Sequence, residues 1–166
     1  MPEKETIERA REDARQGKAP STQAGEFVHE EIEHIREGKH GARSTKQAIA
    51  IGLSKARRAG VKLPPPKEGK SSASTRQQAS RDYEKGQKSA DQTPSPTRSR
   101  ATLKALQREG TQAVSHAGLS RQAKASAKSR SASDRSRAAR KAVATKGPEK
   151  LKRAAQKAAR TRTAGG

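Results

Sequence analysis

Aromatic side chains are almost absent from this 166-residue chain, and their scarcity limits the core that it can build. The only Phe, Tyr or Trp residues are Phe27 and Tyr83, and hydrophobic residues of every kind make up 28% of the sequence. Ordinary globular domains contain about 45–50% apolar residues. Much of the apolar fraction here is alanine, which buries too little surface to offset the entropy lost on ordering the backbone. We therefore expect long stretches of the chain to remain unpacked.

Positive charge is distributed very unevenly along the sequence. Lysine and arginine number 38 against 17 acidic residues, so the net charge is +21. Residues 1–63 carry 13 basic and 10 acidic side chains, residues 64–97 carry 6 and 4, and residues 98–166 carry 19 and 3. A chain this cationic attracts polyanions, of which DNA, RNA and anionic membranes are the abundant ones. The charge therefore predicts a polyanion partner bound by residues 98–166.

Helix signals predict a mainly α-helical protein that begins with a small helical domain over residues 1–63. Three helices are expected, at residues 3–16, 21–38 and 44–59. Gly17 and Gly38 would end the first two, and Ser44 opens the third as a Ser-x-x-Gln capping box. The last two helices, joined by a short loop, would form a helical hairpin over residues 21–60.

The hairpin has a thin apolar face. The residues expected to pack it, or to bind a second copy or another protein, are Phe27, Val28, Ile32, Ile35, Ile49, Gly52 and Leu53. Gly52 lies between Ala48 and Ala56 at four-residue intervals, which would let another helix approach closely, although a chance glycine in a marginal helix is the alternative. The acidic residues of the second helix, Glu26, Glu30, Glu33 and Glu37, are expected on a solvated surface.

Beyond the hairpin, the sequence predicts a linker and a basic tail. Three consecutive prolines, residues 64–66, would stop the third helix, and residues 64–97 are rich in Pro, Ser and Gln with further prolines at Pro94 and Pro96, so they are expected to form a disordered linker. The tail, residues 98–166, is expected to contain short, marginal Ala/Lys/Arg-rich helices at residues 98–109, 119–128, 134–146 and 148–162. Gly147 followed by Pro148 would separate the last two.

No pattern in the sequence indicates catalysis, a cofactor or a metal ion. The chain contains no cysteine. His29 and His34 resemble the histidines of a zinc-protease helix, but they are five residues apart, whereas a shared metal requires four. Solvated histidines are therefore expected, and a zinc ion held by His29, His34 and His40 is the much weaker alternative. No catalytic residue, metal ligand or small-molecule substrate is predicted, and no signal sequence or membrane-spanning segment is evident.

The tail instead predicts binding to nucleic acid through phosphate contacts, because each Lys or Arg that neutralises a phosphate releases a condensed counterion. The basic residues expected to make these contacts are Arg98, Arg100, Lys104, Arg108, Arg121, Lys124, Lys128, Arg130, Arg135, Arg137, Arg140, Lys141, Lys146, Lys150, Lys152, Arg153, Lys157, Arg160 and Arg162. Sequence preference should be low, since nothing aims these side chains at base edges. The tail lacks Phe, Tyr and Trp for stacking unpaired bases, which favours duplex DNA over RNA.

Part of the helical domain resembles a family of small, uncharacterised bacterial proteins that are commonly labelled DNA-binding. The resemblance covers about 35 residues, including a His-Glu element that ends in Gly-Lys and the run Lys46-Gln47-Ala48-Ile49-Ala50-Ile51. The tail is similar in composition to bacterial histone-like extensions. These resemblances imply a cytoplasmic, nucleoid-associated DNA-binding protein. A protein-interaction adaptor that acts through the hairpin, and an RNA- or ribosome-associated protein, are the alternatives.

Overall fold

A computed structural model describes residues 2–88 and 95–164, apart from the side chains of residues 145, 146 and 162–164. Within these residues the protein is helical and contains no β-strand. The helices are α1 (Lys4–Arg15), α2 (Pro20–Arg36), α3 (Thr45–Arg58), α4 (Ala73–Lys88), α5 (Pro96–Leu106), α6 (His116–Lys128) and α7 (Ala132–Ala164), and a 3₁₀ turn spans Gln112–Val114. The mainly α-helical prediction is therefore confirmed.

The chain forms two compact units, Met1–Gln122 and Ala123–Gly166. The boundary lies within α6. It differs from the predicted boundaries after residues 63 and 97, because the 3₁₀ turn joins the first unit by inserting Val114 beside Ile35 of α2 and Ala48 of α3. The first 25 residues of the predicted tail, 98–122, thus belong to the same unit as the helical domain.

The first unit is built around the predicted hairpin. Helix α2 packs on α1 and α3, and α4 packs on the other side of α3. Two small groups of buried residues hold these helices together. The first contains Ala10, Ala24, Phe27, Ala56 and Val61, and the second contains Ile35, Ala42, Ala48 and Val114. Alanine occupies half or more of each group, so the helices can approach closely but each contact buries little area.

The close approach of α2 and α3 occurs at Gly52, as the small-residue spacing predicted. Ala48, Gly52 and Ala56 are all buried on one face of α3. A Cβ atom at Gly52 would lie 2.7 Å from the Cα atom of Val28, so no larger residue fits unless the helices separate. The glycine is therefore a packing requirement, and the alternative of a chance glycine is wrong.

Helix ends also follow the sequence in most places. Ser44 caps α3 by accepting a hydrogen bond from the Gln47 backbone N–H, and the Gln47 side chain accepts one from the backbone of Arg43. Helix α2 begins one residue earlier than expected, with Pro20 in its first turn. Residues 132–164 form two helical segments that meet at Gly147, where φ is 73° and ψ is 157°, so the predicted break is present.

The predicted disordered linker is wrong over residues 73–88, which form α4. Its buried face consists of Ala79, Asp82 and Gly86. Asp82 accepts hydrogen bonds from the Ser54 hydroxyl at 2.6 Å and from the Arg58 guanidinium at 2.7 Å. The buried face of α4 thus consists of one hydrogen-bonded carboxylate between two small residues. It lacks the apolar stripe from which a packed helix is recognised in a sequence. Pro96 lies in the first turn of α5, whereas Pro94 lies outside the described residues.

Candidate functional site

Two acidic side chains, of which Glu30 was expected on a solvated surface, are buried between the helices of the first unit. Glu30 is 4% exposed and Glu31 is fully buried. Lys55 of α3 lies between them, with its Nζ atom 3.2 Å from Glu30 Oε1 and 2.7 Å from Glu31 Oε2. The prediction of a solvated face is therefore wrong for Glu30. Burial of a carboxylate costs several kcal/mol unless it is paired, and Lys55 provides part of that compensation.

Two histidines complete this group of side chains. His34, one turn after Glu31 on α2, places Nε2 2.8 Å from Glu3 Oε1 and Nδ1 4.0 Å from Glu30 Oε1. His40 follows α2 and places Nε2 3.4 Å from Glu31 Oε1. Both imidazole side chains are largely shielded from solvent. We refer to Glu3, Glu30, Glu31, His34, His40 and Lys55 as the polar cluster.

Glu3 closes the polar cluster at the start of α1. Its carboxylate forms a hydrogen bond with His34, and its backbone N–H donates to Glu30 Oε2 at 3.1 Å. The hydrogen bond from His34 and the nearby charge of Lys39 lower the pKa of Glu3. The Glu3 carboxylate is therefore held in its ionised form as an acceptor beside the His34 ring.

The structure separates the three histidines that the sequence grouped as a candidate zinc site. His34 and His40 lie together, with ring centroids 6.4 Å apart, whereas His29 is exposed on α2. Glu31 lies beside His34 and His40 instead, and the sequence analysis did not single it out. Glu31 and His34 are three residues apart and therefore share a helix face. That spacing was a usable signal, but the return of His40 to this face depends on the turn after α2.

The apolar residues of the hairpin are mostly used within the first unit. Phe27 and Ile35 are buried, and Val28 contacts Gly52. Among the others, Leu53 packs against the first core group and Ile32 against the second. Ile49 is half-buried.

The arginines at the end of α3 have local roles in the fold. Arg57 is buried and its Nε atom donates to the carbonyl of Leu63 at 3.2 Å, which holds the chain leading into the proline run. Arg58 pairs with Asp82 of α4. Arg57 therefore binds the segment that follows α3, while Arg58 binds a neighbouring helix.

The basic residues predicted to contact phosphate are exposed wherever their side chains are described. They lie on α5 (Arg98, Arg100, Lys104), in the segment after it (Arg108), on α6 (Arg121, Lys124, Lys128), before α7 (Arg130) and on α7 (Arg135, Arg137, Arg140, Lys141, Lys150, Lys152, Arg153, Lys157, Arg160). The side chains of Lys146 and Arg162 lie outside the described residues.

Four of these residues are aligned along the second segment of α7. Lys150, Arg153, Lys157 and Arg160 recur at intervals of three, four and three residues. At about 100° per residue they fall within an arc of roughly 80°, and they extend over about 15 Å of helix. We call these four residues the basic stripe. None of the described side chains of residues 123–161 is buried, so this part of the chain has no apolar face that packs against another element.

Residues 4–68 match the model of a family of unknown function, DUF6496. This match is consistent with the uncharacterised family that the sequence resembles. Neither the curated proteins nor the solved structures include a match to this chain. No helix in the part of the chain that the structure describes is long and apolar enough to cross a membrane. The N-terminal part of the protein is thus similar to a family of unknown function.

Proposed function

We propose that the protein binds duplex DNA without sequence specificity, through phosphate contacts made by its exposed basic helices. The observation that carries this proposal is the composition of the second unit. Residues 123–166 hold fourteen basic and two acidic side chains. Its helices expose their basic residues and bury none of the described side chains. Such a surface gains binding energy from counterion release and needs no packed core.

The geometry of the basic stripe suits the backbone of a nucleic acid. A straight helix that presents four cations along about 15 Å can follow a phosphate backbone. Residues 98–166 contain no Phe, Tyr or Trp on which an unpaired base could stack. Duplex DNA is accordingly the favoured ligand, and a nucleoid-associated, histone-like role in the bacterial cytoplasm is the cellular setting that we propose.

The test is the salt dependence of binding by the full-length protein. We expect 6–10 phosphate contacts, so affinity for a labelled 30-base-pair duplex should fall by about 10³–10⁵-fold between 50 and 200 mM NaCl. Fluorescence anisotropy at several salt concentrations gives the slope of log K against log salt. A nearly flat dependence would contradict the proposal. Competition by structured RNA at equal phosphate concentration identifies an RNA-binding protein if the RNA displaces the duplex more effectively.

A charge-matched pair of variants shows which unit makes the contacts. Replacing Lys150, Arg153 and Lys157 by glutamine should lower the slope by about 0.9 for each lost contact. The control removes the same charge from exposed residues of the first unit by replacing Lys4, Arg11 and Lys46 with glutamine. The control should bind almost as the unmodified protein does. Equal losses in the two variants would mean that net charge, and not the basic stripe, determines binding.

A further inference from the structure

We propose that Glu31, His34 and His40 bind a divalent transition-metal ion, with Zn²⁺ as the expected ion. One potential ligand atom from each residue lies within 4.8 Å of the other two. In a tetrahedral zinc site with bonds of about 2.0–2.2 Å, ligand atoms are roughly 3.3–3.5 Å apart. Glu31 Oε1 and His40 Nε2 are already separated by 3.4 Å. The third ligand atom, from His34, lies within 4.8 Å of both.

The second nitrogen of each ring is oriented as in metal-binding histidines. His40 Nδ1 is 3.1 Å from the carbonyl oxygen of Gly41, which can only accept a hydrogen bond. Nδ1 is therefore the donor in this bond, which leaves Nε2, the nitrogen facing Glu31 Oε1, as the atom available to a metal ion. His34 Nε2 is bonded to the Glu3 carboxylate at 2.8 Å, which leaves Nδ1 for a metal. A carboxylate or carbonyl behind each imidazole is the arrangement that fixes tautomer and orientation in metal sites.

Burial and charge also favour a bound cation. Glu31 is fully buried, and among the described residues its Oε1 atom accepts no hydrogen bond, whereas Oε2 lies 2.7 Å from Lys55 Nζ. Lys55 approaches Oε2, but the same ammonium also faces Glu30. On the other side, Oε1 lies 3.4 Å from His40 Nε2, a separation at which one metal ion can contact both atoms.

The donor set selects the class of metal. Imidazole nitrogen and one carboxylate suit Zn²⁺ and neighbouring transition-metal ions, whereas Ca²⁺ and Mg²⁺ require oxygen ligands throughout. Three protein ligands leave one position of a tetrahedral zinc ion for water. The ion would join α2 to the segment that leads into α3. This proposal is independent of DNA binding, since every residue involved lies in the first unit.

The experiment is a titration of the full-length protein with CoCl₂, which reports tetrahedral coordination through its visible absorption, followed by displacement with ZnCl₂. We would purify and titrate the protein in 1 M NaCl, because bound nucleic acid would itself bind metal and is released at high salt. We expect one cobalt ion per chain, with a visible band that zinc abolishes. Absence of the band in the unmodified protein would overturn the proposal.

Matched variants identify the ligands. His40→Gln and Glu31→Gln should each weaken zinc binding by more than about 100-fold, and Glu3→Gln, behind His34, by about 10–100-fold. His29→Gln is the control, since His29 lies exposed on the same helix. Zinc binding that survives His40→Gln, or that is lost in His29→Gln, would contradict the assignment.

A further variant keeps the test valid if His40→Gln does not fold, as judged by circular dichroism without metal. The chain contains no cysteine, so His40→Cys introduces a single thiolate, which is a good zinc and cobalt ligand. Cobalt bound to this variant should show a thiolate charge-transfer band in the near ultraviolet. Absence of that band in a folded His40→Cys protein would also overturn the proposal.

Discussion

The two compact units of this protein use charged residues in opposite ways. In Met1–Gln122, ion pairs connect separate elements: Arg9 of α1 pairs with Glu26 of α2, and Arg58 of α3 pairs with the buried Asp82 of α4. In Ala123–Gly166, fourteen basic residues are accompanied by only two acidic ones. Charge therefore contributes to packing in the first unit and forms a cationic surface in the second. The same residue types have different roles because fifteen of the seventeen acidic residues lie in the first unit.

The difference extends to the source of stability. The first unit buries Phe27, Ile35 and Val114 among many alanines. The second unit has no buried residue among its described side chains, so its helices depend on intrinsic propensity. We expect the first unit to unfold as a cooperative domain and the second to contribute little to the measured free energy of unfolding.

The largest expected effect compares one apolar residue from each unit. Phe27→Ala removes the largest fully buried side chain and should lower the free energy of unfolding by about 3–5 kcal/mol. Val143→Ala, at a position that is 50% exposed in α7, should change it by less than about 0.5 kcal/mol. Urea denaturation followed by circular dichroism measures both. Similar effects of the two substitutions would mean that the units do not differ in stability as proposed.

A smaller effect is expected from glycines within the first unit. Gly52→Ala places a Cβ atom 2.7 Å from the Val28 backbone and should destabilise the protein by about 1–3 kcal/mol, because α2 and α3 must separate. Gly25→Ala is the matched control, since its Cβ would have no neighbour within 4 Å. This control should stabilise α2 by about 0.5–1 kcal/mol. Stabilisation by both substitutions would show that the helices do not pack closely at Gly52.

The anchor of α4 tests whether polar contacts replace apolar ones. Asp82→Ala removes the acceptor shared by Ser54, Gln78 and Arg58 and should cost about 1–2 kcal/mol, since the exposed Arg58 can regain water. Glu84→Ala, at an exposed position of the same helix, should have almost no effect. Thermal denaturation of both variants measures the difference. An unchanged melting temperature for Asp82→Ala would mean that α4 is held mainly by its small residues.

Local signals predicted most of the helices, whereas contacts distant in sequence were missed. The cap at Ser44, the spacing around Gly52 and the Gly147-Pro148 break each depend on a few neighbouring residues. The burial of Glu31 depends on Lys55, and the docking of Val114 depends on Ile35 and Ala48 of the hairpin. Contacts of this kind cannot be predicted from the helical periodicity of either segment alone. Their residues are also polar or small, so hydrophobic patterns do not detect them.

The same difference between local signals and distant contacts explains which of the candidate sites could be predicted from the sequence. In a segment with few acidic and few apolar residues, basic side chains have little to pack against and are expected to be exposed. The structure places their described side chains in solvent. The polar cluster requires three elements to meet, namely the start of α1, the face of α2 and the segment containing His40. Composition therefore predicted the charged surface, and only the tertiary structure could reveal the cluster.

The smallest expected effect concerns the break in α7. Gly147 has φ 73° and ψ 157°, a conformation that other residues adopt only at a cost of about 1–3 kcal/mol, so Gly147→Ala should change the angle between the two helical segments. If DNA binding depends on phosphate contacts alone, affinity should change by less than about 3-fold, because each segment keeps its cations. Anisotropy at one salt concentration measures this change. A loss of affinity as large as that from removing three charges of the basic stripe would mean that the angle positions the cations. The shape of the second unit, and not only its charge, would then determine binding.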